Sequence, residues 1–187
     1  MGSVVVPVEK SPPPAYPSVL PQLPWQRSWY CRSRSAKGTK ALAMKLAQAM
    51  PPRQVVALMG TLGAGKTTFV QGLAQGLGAL HLHDVLSPTY TLVNTYPTAD
   101  GPLVHLDLYR LGNKDAVAAL GLDDVMQQPA RLVVVEWACR HPELFDADTV
   151  WLHLQRADDG GDGRHRLLHV LGMAPPLGVT HGRYDDA

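Results

Sequence analysis

The segment Gly60-Thr-Leu-Gly-Ala-Gly-Lys-Thr67 constrains this chain more than any other feature. It matches G-x-x-x-x-G-K-[ST] at every fixed position, the pattern of a loop that follows a buried strand, opens a helix and cradles phosphate groups. Glycines let the backbone bend tightly and approach phosphate oxygens, while amides of the loop and of the helix N-terminus point at the anion. The predicted nucleotide contacts in this segment are Gly60, Leu62, Gly63, Ala64, Gly65, Lys66, Thr67 and Thr68.

Two side chains of the loop carry its charge and metal chemistry. Lys66 brings an ammonium to the outer phosphates, an attraction of about 4 kcal/mol at ~4 Å and an effective dielectric of ~20, before desolvation. We therefore expect Lys66 to be the most sensitive side chain for binding. Thr67 offers a hydroxyl to Mg²⁺. The flanking sequence fits, since residues 55–59 form an apolar run typical of a buried parallel strand.

The remaining pattern predicts alternating strands and helices. Thr39 is predicted to cap a helix over 40–50, and a helix over 66–77 is predicted to end at Gly78. A helical stretch over 113–127 is interrupted at Gly121. Strands are predicted at 55–59, 91–96, 103–107, 131–136, 150–155 and 164–170, with antiparallel hairpins joining 91–96 to 103–107 and 150–155 to 164–170.

Acidic residues end two of these apolar runs. Asp107 follows Leu103-Val-His-Leu, and Glu136 follows Leu132-Val-Val-Val. Ligands of open α/β sheets lie beyond the carboxyl ends of the strands, so both carboxylates are positioned to reach a metal held by Thr67 or to orient an attacking water. The sequence does not divide these roles between them, and an exposed strand-end acid is the alternative for each.

The polar loop of residues 86–92 follows the predicted phosphate-loop helix. Thr89 and Thr91 are suitably placed to sense an outer phosphate, as the residues of switch loops do. The alternative is a β-turn around Pro88 that leads into a strand. Both interpretations remain open at this stage.

An aromatic residue and several histidines lie near these motifs. Trp137, directly after Glu136, either stacks on the nucleotide base or packs in the core or against a partner. His81, His83 and His105 are interpreted as packing or solvent-facing residues, because no zinc-like cluster surrounds them.

Length and composition limit the class of protein. With 187 residues, 45% of them hydrophobic, the chain is expected to form one domain with appendages. A net charge of +1 argues against a general nucleic-acid binder, although nine of the seventeen basic residues and only one acid precede Asp84. Two cysteines without a CxxC pair fit a reducing cytoplasm, and no apolar run approaches the ~20 residues of a membrane span.

The composition of the terminal segments predicts the limits of the domain. Residues 1–37 are expected to be a flexible, proline-rich, basic extension, and removal of residues 1–35 is expected to leave activity intact. Its segment 27–35 is basic and aromatic, which suits RNA stacking, but a disordered leader is favoured. Residues 172–187 carry no core signal and are expected to be a tail. The domain itself spans 38–171.

Four blocks of sequence resemble the TsaE family, the bacterial ATPases of tRNA threonylcarbamoyladenosine synthesis. They stand in the family's order and at about its spacing, across residues 38–171. The blocks are Leu62-Gly-Ala-Gly-Lys-Thr-Thr68, Ser87-Pro-Thr-Tyr-Thr-Leu92, His105-Leu-Asp-Leu-Tyr-Arg110 and Val135-Glu-Trp-Ala-Cys-Arg140. Together they are far more specific than the phosphate loop alone.

This resemblance implies a fold, ligands and site residues. The fold is α/β, a P-loop NTPase-like three-layer sandwich with a mixed, mainly parallel central sheet, and the ligands are ATP and Mg²⁺. The resemblance assigns Lys66 and Thr67 to phosphate and magnesium. Asp107 and Glu136 are the acidic pair around the metal, and Trp137 lies near the nucleotide. The block at 87–92 is a switch-like loop, which contributes Ser87, Thr89 and Thr91.

The resemblance also implies partners. Family members bind the TsaB–TsaD heterodimer, in which TsaD transfers threonylcarbamoyl to the adenosine beside the tRNA anticodon. The ATPase thus meets tRNA only indirectly, through the complex, supports repeated cycles, and is expected to hydrolyse ATP weakly without partners. One departure is Thr61, where the family usually carries an acid; this difference affects water positioning or partner contact.

Three other functions fit a phosphate-binding loop. A regulatory GTPase needs Asn-Lys-x-Asp, but the chain has Ala116 at the required aspartate. A small-molecule kinase needs an arginine-bearing lid, for which Arg164 and Arg166 on the terminal hairpin are poorly suited. An ATP-gated binding module without physiological turnover is the third alternative, and tight binding with weak hydrolysis would favour it.

Overall fold

The computed structural model describes residues 28–112, 114–119, 121–157, 165–179 and 181–183. Within them, one sheet of eight strands runs in the order β3-β4-β5-β2-β6-β7-β1-β8. The four central strands β4, β5, β2 and β6 are parallel, and the outer pairings are antiparallel. The strands are β1 Ser28–Ser33, β2 Gln54–Met59, β3 Val93–Tyr96, β4 Leu103–Asp107, β5 Leu132–Glu136, β6 Val150–Arg156, β7 Arg166–Leu171 and β8 Gly182–Arg183.

Helices cover both faces of this sheet. They are α1 Ala36–Ala49, α2 Lys66–Gly76, α3 Lys114–Ala119 and α4 Leu122–Gln127. One apolar core joins the sheet to α1 and α2, while a second core on the other side includes Val117 of α3 and Val125 of α4. The three-layer α/β sandwich with a mixed sheet is therefore confirmed, with its parallel part confined to the centre.

Two glycines of α2 allow α1 to approach closely. A Cβ on Gly72 would lie 2.5 Å from the Lys40 carbonyl oxygen, and one on Gly76 would lie 2.7 Å from that of Met44. Real Cβ atoms do not approach backbone oxygens so closely. The helix that follows the phosphate loop is thus held against the body of the domain, which fixes the direction of its N-terminus.

The first helix begins earlier than its sequence pattern suggested. Ser35, in extended conformation, caps it by accepting a hydrogen bond from the Gly38 amide at 3.0 Å. Thr39, the predicted cap, lies inside the helix, where its hydroxyl is buried beside that of Ser33 at 2.9 Å. The predicted start at residue 40 was wrong because Ser35 has the extended conformation of an N-cap residue and its hydroxyl accepts an amide of the first turn.

The sheet continues past the predicted domain limits at both ends. Strand β1 lies within the predicted extension and pairs with β7, and β8 lies within the predicted tail and pairs with β1. Strand β1 alternates buried and half-buried residues; Trp29 is 1% exposed and its indole donates to the Met173 carbonyl at 2.8 Å. The aromatic residue considered for RNA stacking is therefore a core residue. Residues 1–27 lie outside the described ones.

The other elements agree with the sequence pattern to within a few residues. Both predicted hairpins are antiparallel, β3 with β4 and β6 with β7, although the connection at 158–164 lies outside the described residues. Gly121 separates α3 from α4 with a φ of 57°. In the described part of the chain, no helix combines the length and apolar character needed to cross a membrane.

Candidate functional site

The loop between β2 and α2 has the shape that its glycines permit. Gly60, Gly63 and Gly65 have φ values of 142°, 73° and 104°, a region that side chains disfavour. A Cβ on Gly60 would lie 2.4 Å from the Leu154 carbonyl oxygen of the neighbouring strand. Both the backbone turn and this close approach therefore require glycine at 60. The loop delivers the chain into α2 at Lys66.

Lys66 is folded back onto its own loop. Its ammonium donates to the carbonyls of Gly60 at 2.9 Å and Thr61 at 3.1 Å, and lies 4.0 Å from the centre of the Trp137 ring. Burial lowers the pKa of Lys66 from its usual value, while the charges of Glu136 and Asp107 act in the opposite direction. The ammonium is thus largely desolvated and held by neutral oxygens, which phosphate oxygens can replace.

Glu136 lies beside the loop because β5 and β2 are parallel neighbours, with Leu58 paired to Glu136. One carboxylate oxygen of Glu136 accepts a hydrogen bond from the Thr67 hydroxyl at 3.0 Å. The same oxygen lies 3.0 Å from Nε2 of His105, and both side chains are buried. The end of β5 is therefore tied to the first turn of α2.

Asp107 occupies the equivalent position on the next strand, in register with Glu136. One of its carboxylate oxygens accepts hydrogen bonds from Ser87 at 2.9 Å and Thr89 at 2.7 Å. The other accepts the Tyr109 amide at 2.8 Å. Two hydroxyls of the polar loop thus converge on the buried end of β4.

Thr91 does not join this group. Its side chain is exposed and its hydroxyl donates to Asn94 at 2.9 Å, at the start of β3. The turn after Pro88, closed by the Leu92 amide on the Pro88 carbonyl at 2.7 Å, directs Thr91 away from Asp107. The structure therefore brings two of the three predicted loop hydroxyls to the cleft.

Trp137 follows β5 with a left-handed φ of 59°. Its ring lies 4.9 Å from that of Tyr109, and the two aromatic residues form one wall of a cleft of about 450 Å³. The other lining residues come from the phosphate loop, α2, the polar loop and the strand ends: Leu62, Gly63, Gly65, Lys66, Thr67, Thr68, Ser87, Thr89, Asp107, Glu136 and Arg166.

The chemistry of this cleft suits a hydrated divalent cation and a polyanion. Thr67, Asp107 and Glu136 supply a hydroxyl and two carboxylates, the hard oxygen ligands that Mg²⁺ prefers. Lys66 and Arg166 supply positive charge in the same cleft. Both carboxylates are nearly inaccessible in the described structure. One oxygen of Asp107 is bound by two hydroxyls, and one oxygen of Glu136 is bound by the Thr67 hydroxyl and contacts His105.

The sequence pattern did not identify three side chains at the site: Tyr109 and Arg166, which line the cleft, and His105, which contacts Glu136. His105 was interpreted as packing, yet it shares a strand face with Asp107 two residues later, and this alternation was an available signal. Tyr109 carried no local signal. Arg166 reaches the loop from β7 across more than a hundred residues of sequence, so the sequence pattern gave no indication of it. His81 and His83 are both exposed, as one of the two interpretations expected, but the structure brings their ring nitrogens and an Asp84 oxygen within 4.8 Å of one another, a grouping that the sequence did not indicate.

Comparisons with known proteins agree on one family. A sequence model described as "Threonylcarbamoyl adenosine biosynthesis protein TsaE" matches residues 33–166. The TsaE protein of Bacillus subtilis is 36% identical over 140 residues, which are 75% of this chain and 82% of that protein. The TsaE protein of Aquifex aeolicus is 43% identical over 103 residues, 55% of this chain and 71% of its own length.

A solved structure leads to the same result. The crystal structure of Bacillus subtilis YdiB superposes with a TM-score of 0.60 at 30% identity, covering 77% of this chain and 84% of that one. The residues that match the family model, 33–166, include the phosphate loop, both strand-end carboxylates and Trp137. Given this fold, this cleft and these similarities, the chain belongs to the TsaE family of tRNA threonylcarbamoyladenosine biosynthesis proteins.

Proposed function

We propose that this chain binds ATP with Mg²⁺ in the cleft and hydrolyses it, and that this ATPase activity supports threonylcarbamoyl modification of tRNA in concert with TsaB–TsaD. The observation that carries the proposal is the meeting of three groups at one edge of the sheet. The phosphate loop, the Thr67–Glu136 hydrogen bond and the buried Asp107 all face the same cleft. Family membership supports the role in tRNA modification.

In this proposal the loop amides and Lys66 bind the phosphates. Lys66 exchanges the carbonyls of Gly60 and Thr61 for phosphate oxygens, and a bond between two charged groups is stronger than the bond from the ammonium to a neutral carbonyl that it replaces. The remaining contacts come from the loop and from Thr68 at the first turn of α2. Trp137, with Tyr109 against it, borders the nucleotide.

The metal is assigned to three oxygen-bearing side chains. Thr67, Asp107 and Glu136 would hold Mg²⁺, which when bound neutralises developing charge on the phosphates. Glu136 and Asp107 also have the chemistry to orient an attacking water, and both carboxylates are assigned to that function together. His105 contacts the same Glu136 oxygen that accepts the Thr67 hydroxyl.

The polar loop is proposed to report the state of the nucleotide. Ser87 and Thr89 contact Asp107, so a cation held by Asp107 would compete with these two hydrogen bonds. Neighbouring large apolar residues are exposed, Leu86 at 61% and Tyr90 at 85%, as is Leu62 of the phosphate loop at 83%. Leu86 and Tyr90 flank Ser87 and Thr89 in one loop, and exposed apolar groups of this kind are typical of a protein-binding surface, which supports TsaB–TsaD docking here.

The proposal is tested by nucleotide titration of the isolated protein. We expect ATP to bind in the presence of Mg²⁺, more tightly than GTP, and Lys66→Ala to abolish binding or hydrolysis. Chelation of the cation should stop turnover. Equal nucleotide affinity in Lys66→Ala and the unmodified protein would contradict the phosphate-loop assignment.

The partner is tested separately. Immobilised TsaB–TsaD should retain this chain in the presence of ATP, and ATP turnover should rise when the heterodimer is added. Turnover on a small acceptor without TsaB–TsaD would instead favour a kinase. Retention with no turnover under any condition would favour an ATP-gated binding module.

A further inference from the structure

Arg166 is the cleft residue that the proposed chemistry does not use. It begins β7, and its guanidinium reaches across to the far side of the phosphate loop. The Nε group donates to the Ala64 carbonyl at 2.8 Å, and one terminal nitrogen donates to the Gly63 carbonyl at 3.3 Å. The other terminal nitrogen donates to the carbonyl of His165, next to it in sequence, at 2.9 Å. One planar group thus joins two consecutive peptides of the loop to the edge of β7.

These two contacts fix the orientation of loop amides. In a trans peptide the C=O and the N–H of the next residue point in opposite directions within one plane. Drawing the oxygens of Gly63 and Ala64 toward Arg166 therefore turns the amides of Ala64 and Gly65 the other way. The Ala64 amide then donates within the loop to Thr61 at 3.1 Å, which leaves the Gly65 amide as the group directed by Arg166 toward a ligand.

The loop needs such a support because its own backbone does not fix this shape. Gly63 and Gly65 have positive φ values, and glycine populates many other conformations at little cost. Arg166 also approaches closely, since a Cβ on Gly65 would lie 3.5 Å from its Nε. Because the guanidinium is charged, each of its hydrogen bonds to a carbonyl is charge-assisted.

We infer that Arg166 is a positioning residue for nucleotide binding: it holds the phosphate loop in its anion-binding shape by bridging the carbonyls of Gly63 and Ala64. This role rests on the proposed function, since it acts on ATP through the loop. The planar fork is what matters, because a lysine ammonium keeps the charge but does not present parallel donors to two carbonyls.

The test compares Arg166→Lys and Arg166→Met with the unmodified protein by calorimetric titration of a non-hydrolysable ATP analogue with Mg²⁺. We expect both variants to bind about tenfold more weakly, the effect of losing charge-assisted hydrogen bonds that organise the loop. Retention of affinity in Arg166→Lys would show that charge alone matters and would overturn the inference.

Arg131 provides a matched control. Its guanidinium also binds backbone carbonyls, those of Pro51 at 2.9 Å and Met50 at 2.9 Å, but it lies at the opposite end of β5 from Glu136. Arg131→Lys should lower the melting temperature and leave analogue affinity unchanged. An equal loss of affinity in Arg131→Lys would reduce Arg166 to a general stabilising residue.

Two further outcomes keep the conclusions separate. If the unmodified protein and Lys66→Ala bind the analogue equally, the proposed function fails; if the unmodified protein binds and Arg166→Lys matches it, the inference alone fails. Circular dichroism establishes that the Arg166 variants are folded. If both variants are unfolded at 25 °C, Arg166 is required for the stability of the fold, and this result would also overturn the inference.

Discussion

Two carboxylates at neighbouring strand ends have different surroundings. Glu136 accepts a hydrogen bond from Thr67 on α2 and contacts His105, whereas Asp107 is bound by the hydroxyls of Ser87 and Thr89. Glu136 is therefore coupled to α2, which follows the phosphate loop, and Asp107 to the loop that carries exposed apolar residues. Substitutions at these two carboxylates should thus have different effects.

Glu136→Gln removes one negative charge while keeping the shape of the side chain. We expect Mg²⁺-dependent ATP hydrolysis to fall by about 100-fold, because a carboxylate is needed for the cation and the water. The melting temperature should change little, since the amide still fills the buried site. Steady-state turnover across a Mg²⁺ series checks this; activity within twofold of the unmodified protein would remove Glu136 from the site.

The double change Ser87→Ala and Thr89→Val removes both hydroxyls from Asp107. We expect weaker stimulation of turnover by TsaB–TsaD, because the loop no longer responds to the state of Asp107. Thr91→Val is the matched control, since Thr91 lies in the same loop but donates to Asn94. Equal stimulation of turnover in the double variant and the control would show that the loop is not coupled to the site.

At the scale of elements, the contact between α1 and α2 depends on glycine. Gly72→Ala places a Cβ where the Lys40 carbonyl oxygen lies 2.5 Å away, so the helices must separate. We expect destabilisation by about 1–3 kcal/mol, although alanine alone favours a helix by up to about 1 kcal/mol over glycine. Urea denaturation measures the change.

Gly112→Ala is the control for this prediction. A Cβ at Gly112 meets nothing within 4 Å, so this substitution should alter the unfolding free energy by less than about 0.5 kcal/mol. A stabilised Gly72→Ala variant would show that helix propensity outweighs the clash and that the helices can move apart freely.

The β6–β7 pair introduces a dependence on pH. His169 is paired in register with His153, and burial lowers the pKa of His169 to about 4 and that of His153 below its usual value. Between pH 6.5 and 4 the unfolded chain therefore takes up protons that the native state does not. Stability is complete above pH 6.5 and is lost as the pH falls toward 4, by at most about 3 kcal/mol for His169.

Denaturation midpoints between pH 4 and 7 test this dependence. His169→Leu should flatten the acidic slope, because the group that binds protons preferentially in the unfolded state is gone. His83→Leu, at a position with a 79% exposed side chain, serves as the control and should keep the slope. An unchanged slope in His169→Leu would assign the acid sensitivity to other groups.

At the scale of the molecule, the sheet uses segments from both ends of the described chain. Removal of residues 1–35 deletes β1, including the buried Trp29, and leaves β7 and β8 without their shared partner. We expect a loss of at least about 3 kcal/mol, the usual cost of removing a buried tryptophan side chain. The sequence alone had instead led us to expect that removal of residues 1–35 leaves activity intact.

Removal of residues 1–27 is the comparison, because it deletes no described strand. The two deletions should be compared by melting temperature and by ATP turnover. If the protein that lacks residues 1–35 has the same melting temperature as the full chain, β1 contributes nothing to stability and the sheet can end at β7.

Local sequence was enough to predict the phosphate loop, the strand before it, the helix after it and the two strands that end in acids. Glycine spacing and short apolar runs act within a few residues. The local sequence is therefore sufficient to indicate Gly60–Lys66 and the ends of β4 and β5. The expectation that Asp107 and Glu136 lie at one edge of the sheet also followed, since ligands of open α/β sheets lie beyond the carboxyl ends of the strands; their pairing in register came from the structure.

Tertiary structure decided the partners of those groups. Thr91 faces away because of a turn, Trp29 is buried because β1 finds β7, and Arg166 meets Gly63 and Ala64 from a hundred residues away. Each of these depends on how distant segments pack, for which a side chain carries no local signal. The sequence by itself thus determined the loop and its acids, whereas the packing determined which side chains support them.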